Sequence, residues 1–376
     1  MGLTRTRLSD LIVIKNGRDH QALAPGAYPV YGSGGVLRYV SEYLYDGEAI
    51  LLPRKGTLSN IQYAKGKFWT VDTTYYAIVN KNKADTYFLY YLLNHLDLSG
   101  LDSGASIPSM TARTYYSIKI ALPDLTTQKY IASILSAYDD LIENNNRRIE
   151  LLEQAAQELY KEWFVRFRFP GYENAKFENG LPVGWERNKI QHYYNTCSGG
   201  TPSRSNPEYF ENGVYPWVKT GEVKDSVIIN TEEYITQEAV NNSSAKILPA
   251  KSIAMAMYGV NIGLLAYFDS EMTCNQACCV FSDKRNFSSK HYLYYYLKSI
   301  REYLLLISFG AAQQNLSQDL IKKIRITMPA DDVVKAFEQR IDNIYDNIKM
   351  LLMKNQNLAA QRDMLLPRLM SGKLEV

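Results

Sequence analysis

Residues 131–163 read IASILSAYDDLIENNNRRIELLEQAAQELYKEW. Alternating steps of four and three pick out Ile131, Leu135, Tyr138, Ile142, Asn145, Ile149, Leu152, Ala156, Leu159 and Trp163. Only Asn145 among them is polar, and the stretch holds neither Pro nor Gly. Such a seam, kept over about four and a half heptads, is the pattern of a coiled-coil helix. The same steps recur at Phe337, Ile341, Ile344, Ile348, Leu351, Asn355, Leu358, Arg362, Leu365 and Leu369, each 206 residues after its counterpart. The chain is therefore an internal duplication, and each rod supplies the apolar surface the other needs. A buried Leu or Ile contributes roughly 1.5–3 kcal/mol, so the two seams are expected to pack on each other. A globular stretch lies between the end of one rod and the start of the next. That connection favours an antiparallel pair, a pseudo-two-fold repeat, and globular domains at opposite ends. Asn145, Asn355 and Arg362 interrupt the seams, either as solvated positions or as polar layers that select register.

Working outward from the rods, residues 1–123 read as one strand-rich α/β domain. Runs of β-formers (Leu11 to Ile14, Ala49 to Leu52, Tyr75 to Val79, Ile118 to Leu122) alternate with turns such as Lys15-Asn16-Gly17, Gly32-Ser33-Gly34-Gly35 and Pro53-Arg54-Lys55-Gly56. A short helix is expected over Asp85 to His95, with the Tyr90-Tyr91 pair in the core. Pro123 closes the domain, and Asp124 suits the N-terminus of the first rod, residues 124–170, which Pro170-Gly171 stops. A helix of that length spans on the order of 65 Å. Residues 171–182 read as a linker. Residues 183–329 form the second domain, and residues 330–376 the second rod, ending at Pro367 before a short basic tail. The second domain repeats the first most clearly near its end: Tyr292-Leu293-Tyr294-Tyr295 answers Phe88-Leu89-Tyr90-Tyr91, and Lys323 to Pro329 answers Ser117 to Pro123. The expected class is α+β: two strand-rich domains and two long helices packed as an antiparallel coiled coil.

Composition sets broad limits. The 376 residues are 46% hydrophobic and 22% charged, with a net charge of +3. These values suit a globular protein with room for two domains. The best membrane-span candidate, Ile253 to Phe268, is too short and is broken by Asn261 and two glycines. No charged leader with an apolar core opens the sequence, so no signal peptide is expected. Cys197, Cys274, Cys278 and Cys279 form no CxxC pair and have no His nearby, which suits reduced thiols in a cytoplasmic protein. Residues 1–123 carry 13 Lys/Arg against 9 Asp/Glu, whereas residues 124–170 carry 6 against 8. Slightly basic domains joined by neutral to acidic rods fit nucleic-acid binding through local patches.

No catalytic constellation is evident in the sequence. There is no GxxxxGK[ST] loop, since Gly66-Lys67 and Gly372-Lys373 both lack the earlier Gly. His20, His95, His192 and His291 stand apart from one another and from Cys, so no metal site is expected. Asn206-Pro207-Glu208-Tyr209 brushes against an adenine-methyltransferase motif but has a carboxylate where the second Pro belongs, and no Gly-rich cofactor loop accompanies it. Asp139-Asp140 and Asp331-Asp332 sit on or at the start of the rods, where a solvated helix face is expected.

What remains is hydrogen-bonding and basic side chains in the loops of the two domains. In the first these are Lys15, Asn16, Arg18, Arg54, Lys55, Thr57, Ser59, Asn60 and Gln62. In the second they are Ser198, Thr201, Ser203, Arg204, Lys219, Thr220, Lys224, Asn261, Asn275 and Gln276. Two matched polar loops precede the last strands and add Ser106, Ser109 and Arg113 in one, Gln313, Gln314 and Asn315 in the other. Arg reads guanine edges and Asn or Gln reads adenine edges, while Lys, Ser and Thr mostly hold phosphates. Each such residue alone fits ordinary surface better than a base contact. The matched placement of the two loops brings the readings level.

The residues also carry a family resemblance over nearly the whole chain. Leu8-Ser9-Asp10-Leu11, Leu181-Pro182-Val183-Gly184-Trp185, Ser198-Gly199-Gly200-Thr201-Pro202-Ser203 leading to Asn206-Pro207-Glu208-Tyr209, and Pro216-Trp217-Val218 all contribute. So do Gln128-Lys129-Tyr130-Ile131-Ala132-Ser133-Ile134-Leu135 and Leu366 to Leu374. Together they resemble the specificity subunit of a type I restriction-modification enzyme. The second rod's entry, Ala330 to Glu338, departs from the Gln-Lys-Tyr-Ile-Ala pattern of the first. The resemblance implies a non-catalytic chain whose two domains each read half of a split double-stranded DNA site. It implies that the rods space the readers and dock two methyltransferase subunits, with a motor and endonuclease subunit joining the complex. S-adenosylmethionine, ATP and Mg2+ then belong to those partners, and this chain carries no cofactor. Half-sites read from one DNA face lie about 34 Å apart, a separation that overlapped rods can provide. The competing readings are a structural adaptor that binds proteins through the two domains, and a methyltransferase in its own right.

Overall fold

The computed structural model describes residues 2–98, 109–308 and 315–370. It divides into two compact units: residues 1–143 with 356–376, and residues 144–355. The cut falls within both long helices, so each unit contains part of each rod.

In the first unit the opening strand Thr4–Arg7 pairs antiparallel with Lys119–Leu122, the strand that leads into the long helix. A four-stranded sheet follows, in the order Ile12–Asn16, Thr74–Val79, Ala49–Pro53, Gln62–Ala64. Ala49–Pro53 is buried along its whole length, as a central strand made of Ala, Ile, Leu and Pro should be. A second sheet runs Gly35–Val40, Pro25–Gly32, Lys67–Thr70, Tyr45–Asp46, with Pro25–Gly32 parallel to Lys67–Thr70. Lys15 and Asn16, expected in a turn, are instead the last residues of their strand, paired with Tyr76 and Tyr75. The helix Thr86–His95 is capped by Asp85, whose carboxylate accepts from the amides of Tyr87 and Phe88. Tyr91 is buried in the core, and Tyr90 packs at its edge.

The second unit repeats this plan. Glu186–Lys189 pairs antiparallel with Arg325–Met328. The larger sheet runs Tyr194–Ser198, Cys278–Asp283, Ile253–Ala256, Leu265–Phe268, and adds Ser226–Ile228 as a fifth strand. The smaller sheet keeps one antiparallel and one parallel neighbour about Tyr215–Val218. The helix Lys290–Ser299 answers Thr86–His95, but Ser289 gives it no side-chain cap. Glu338 of the second long helix takes that part, accepting from the amides of Tyr292 at 2.9 Å and His291 at 3.3 Å. Burial pushes the Glu338 carboxyl up to about 7. His291 is fully buried beside it, and burial pushes its imidazole down to about 4, so at neutral pH the ring is uncharged and donates Nε2–H to Asp342 at 3.0 Å.

The first long helix runs Leu125–Tyr160 and continues as a π-helical turn, Lys161–Val165. Asp124 caps it, accepting from the amide of Thr127. The second, Asp331–Met370, passes through Pro367 instead of stopping there. A proline in the last turn forfeits one hydrogen bond, and burial of Leu369 in the core holds the turn in place. The two helices are antiparallel, since early residues of one meet late residues of the other. In the first unit Ile131 and Leu135 share a core with Leu365 and Leu369. In the second, Ile149 and Leu152 pack with Ile344 and Ile348, and the Trp163 ring lies 5.7 Å from that of Phe337. Tyr138, Ile142, Leu159 and Leu358 are half-buried, while Ile341 and Leu351 are buried. The polar interruptions are matched. Asn145 donates to Asn355 at 2.8 Å, and Asn355 donates to Asn146 at 2.8 Å. Arg362 pairs with Asp139, which also accepts from the hydroxyls of Tyr87 and Tyr91.

The stretch 171–182, expected as a linker, holds a 3-10 turn and a hairpin of Phe177–Glu178 with Leu181–Pro182. Asn179 and Gly180 supply the two positive φ angles, 50° and 79°, that such a tight hairpin needs. No helix among the described residues is long and apolar enough to cross a membrane, and the four cysteines are free thiols.

Candidate nucleic-acid interface

In each unit the strand ends, the turn before the neighbouring strand and the segment leading to the last short helix converge on one sheet end. The first strand of the larger sheet ends at Asn16-Gly17-Arg18 in the first unit and at Ser198-Gly199-Gly200 in the second. A Cβ on Gly17 would sit 2.0 Å from the carbonyl oxygen of Val71, and one on Gly199 would sit 2.0 Å from that of Cys274. Only glycine fits so close to backbone. The next amide then donates across: Arg18 to Thr70 at 2.9 Å, Gly200 to Cys274 at 2.8 Å. A buried indole fixes each carbonyl that follows, Trp69 to Arg18 and Trp217 to Gly200, both at 3.0 Å.

The central strand's exit is matched too. Lys55 bridges Ser109 and Tyr258 bridges Asn315. Met110 donates to the Arg54 carbonyl at 3.0 Å, and Leu316 to that of Met257 at 2.8 Å. Gly56 and Gly259 follow, with φ of 92° and 82°. One backbone apex is thus built twice, from side chains that differ.

The first apex is rich in cations. Lys15, Arg18, Arg54 and Lys55 are exposed, as are Asn16, Thr57 and Ser59. The Arg54 guanidinium lies 5.9 Å from the Tyr75 ring. Asn60 and Gln62 are committed internally, donating to the carbonyls of Ser33 at 2.5 Å and Gly32 at 2.8 Å, which ties the loop to the hairpin turn beneath it. Arg113 is exposed on the helix Ala112–Ser117, and Ser109 is half-buried.

The second apex is largely neutral. Thr201 bonds Gln276, both exposed, and Ser203 bonds Ser205. Two cations expected to reach DNA are already engaged. Arg204 lies 4.4 Å from the Phe210 ring and 5.0 Å from the Trp217 ring, and pairs with Glu233 at 2.6 Å. Lys219 pairs with Glu232 at 2.7 Å and Glu233 at 2.9 Å, bonds that raise its pKa. Asn261 donates to the Thr220 carbonyl at 2.8 Å, and Asn275 accepts from the amide of Ala277, so both shape loops. Ser198 faces Gln318 at 3.5 Å, while Lys224 is exposed. Asn315 is exposed beside Tyr258. Ser106, Gln313 and Gln314 lie outside the described residues.

Sequence reasoning missed Tyr258 and the wholly exposed Val260. Their place in the chain, after the fourth strand beyond the Gly-Gly turn, matches that of Arg54-Lys55-Gly56, after the fourth strand beyond Gly17. The lack of any shared residue but the glycine hides it.

The family model for the type I restriction modification DNA specificity domain matches residues 4–154 and again residues 182–359. The chain belongs to that family. Each matched segment of this type I specificity chain holds one apex and part of a long helix. The chain is 26% identical over 339 residues to the MjaIX specificity subunit of Methanocaldococcus jannaschii, covering 87% of this chain and 78% of that protein. It is 25% identical over 410 residues to the HindI specificity subunit of Haemophilus influenzae, covering 87% and 88%. The fold is similar to that of the type I S subunit of M. genitalium, with a TM-score of 0.61 at 16% identity over 98% and 96% of the two chains. DNA sequence recognition is the role that this membership assigns.

Proposed function

We propose that the chain is the non-catalytic reader of a two-part DNA site. Each apex meets one half-site, and the paired helices set the gap and dock two methyltransferase subunits. The observation that carries this reading is the doubled apex: matched backbone hydrogen bonds hold up different side chains, as two readers of different sequences require. Arg18, Arg54 and Lys55 suit guanine edges and phosphates. Thr201, Gln276, Tyr258 and Asn315 suit base edges read through neutral donors and acceptors. Methyl transfer, ATP use and cleavage fall to the partner subunits, which would hold S-adenosylmethionine, ATP and Mg2+; the motor subunit joins through the assembled complex.

The test is selection from randomised DNA by the chain assembled with its methyltransferase subunits. Arg18→Ala with Arg54→Ala should relax bases in one half-site, and Gln276→Ala with Tyr258→Phe in the other. Either pair altering both halves, or a complex with no sequence preference and no salt-dependent DNA binding, would refute the reading and favour an adaptor that binds proteins.

A further inference from the structure

A cleft of about 560 Å³ opens in the second unit, away from the apex loops, between the Ile190–Tyr193 turn, the edge strand Tyr194–Ser198 and the helix Gln318–Lys323. Lys189, Lys284, Lys322 and His192 are among the described residues that line it, and none of those lining residues is a carboxylate. Among the described residues Lys322 pairs with Asp319 at 3.7 Å, whose carboxylate is exposed, in a surface pair of the kind that contributes little. Lys284 donates to the Gln191 carbonyl at 2.6 Å, which holds its ammonium at the rim. On the cleft wall, the Thr196 hydroxyl is shielded from solvent and has no hydrogen-bond partner among the described residues. Three lysines and a histidine gathered in one concave place make a lining suited to an anion.

The cleft and the apex form one strip. Thr196 and Ser198 are two apart on a strand, so they share a face about 6.7 Å from each other. Gln318 reaches Ser198, and Lys322 lies one turn further along the same helix face. The first half fills the matching place differently. Arg7, Asp10, Ile14, Asn80 and Tyr116 stand where Lys189, His192, Thr196, Lys284 and Lys322 do, and the Tyr116 hydroxyl accepts from the amide of Ile14 at 2.8 Å. A carboxylate, an amide and a phenol there replace three of the four basic groups, and Arg7 keeps the fourth.

The two halves thus arrange their cations in opposite ways. The first apex exposes Arg18, Arg54 and Lys55. At the second, Arg204 and Lys219 are held by Glu232 and Glu233. We infer that the Lys189–Lys284–Lys322 cleft binds backbone phosphates of the DNA whose bases meet the second apex. This rests on the reading of the chain as a two-part DNA reader, and it assigns phosphate grip and base reading in the second half to neighbouring parts of one strip.

The experiment uses the chain assembled with its methyltransferase subunits and DNA carrying the selected site. Lys189→Gln, Lys284→Gln and Lys322→Gln are combined, and a second variant carries Arg at the same three positions. Neutralising three phosphate contacts should reduce the slope of log affinity against log salt by about 2–3. Binding should weaken for every sequence alike, with base preferences unchanged, and the Arg variant should keep the parent slope. A Gln variant with the parent's slope, in a complex that binds its site, would overturn this proposal alone. A parent that binds no DNA would overturn the functional reading and this proposal with it. A folded Gln variant that binds DNA normally but no longer assembles with the methyltransferase subunits would make the cleft a protein dock and equally overturn it.

Discussion

Gly17→Ala offers a severe test of the first apex, because the perturbation is one methyl group and its surroundings are all backbone. The added carbon would sit 2.0 Å from the Val71 oxygen, 2.6 Å from that of Thr74 and 2.7 Å from that of Thr70. Contacts below about 3 Å cannot be kept, so the Asn16–Arg18 segment must move outward by on the order of 1 Å. That displacement stretches the 2.9 Å bond from the Arg18 amide to Thr70 beyond hydrogen-bond range. It also withdraws the Arg18 carbonyl from the Trp69 indole, now 3.0 Å away. The lost backbone bond costs about 1 kcal/mol, and an unsatisfied buried indole N–H about 1–3 kcal/mol. The expected loss is therefore about 2–4 kcal/mol. In a unit of this size each kcal/mol lowers the melting temperature by roughly 2–4 °C. Thermal and urea unfolding give the magnitude. Mapping methylated bases after incubation with the partner subunits gives the function, where preference should fade in one half-site only. A variant as stable as the parent, or one that loses both half-sites while folded, would refute the argument. Gly199→Ala should do the same to the other half.

Other outcomes follow from the paired helices and the buried charges. Asn145→Leu leaves the Asn355 amide oxygen without its donor in a half-buried layer and should cost about 1–3 kcal/mol. Asn145→Leu with Asn355→Leu should recover most of that while loosening register, and a double-mutant cycle with no coupling would count against the layer. Glu338 gives a pH signature. Its folded value is raised from 4.5 to about 7, so its contribution to stability is complete below pH 4.5 and is lost as pH rises through 7. Stability of Glu338→Gln relative to the parent should therefore climb by about 3 kcal/mol across that window. His291 works the other way: lowered from 6.5 to about 4, its contribution is complete above pH 6.5 and is lost as pH falls through 4. His291→Gln should accordingly gain on the parent as pH falls through that range, and a difference independent of pH would show either group to be ordinary.

The periodicity of residues 131–163 and its echo 206 residues later made the helix pair legible, because a seam is a local pattern with a fixed repeat. The Asp124 cap and the strands ending at Pro123 and Pro329 were legible for the same reason. The state of individual cations was not. Arg204 and Lys219 looked like free readers, since their partners Glu232 and Glu233 are brought to them only by strand pairing. Asn60 and Gln62 resemble base readers in sequence, yet their amides serve the turn at Gly32-Ser33. The supporting indoles escaped alignment, because Trp69 and Trp217 reach equivalent carbonyls from different strands of their sheets. The helix also ran on through Pro367, where the packing of Leu369 outweighed a local stop signal.

In the proposed function, one chain carries two independent readers. The sharpest check is replacing residues 1–123 with the corresponding segment of another type I specificity chain and sequencing the bases methylated by the assembled complex. One half of the recognised site should change while the other half and the gap between them stay as they were. A change in both halves, or in neither, would contradict it.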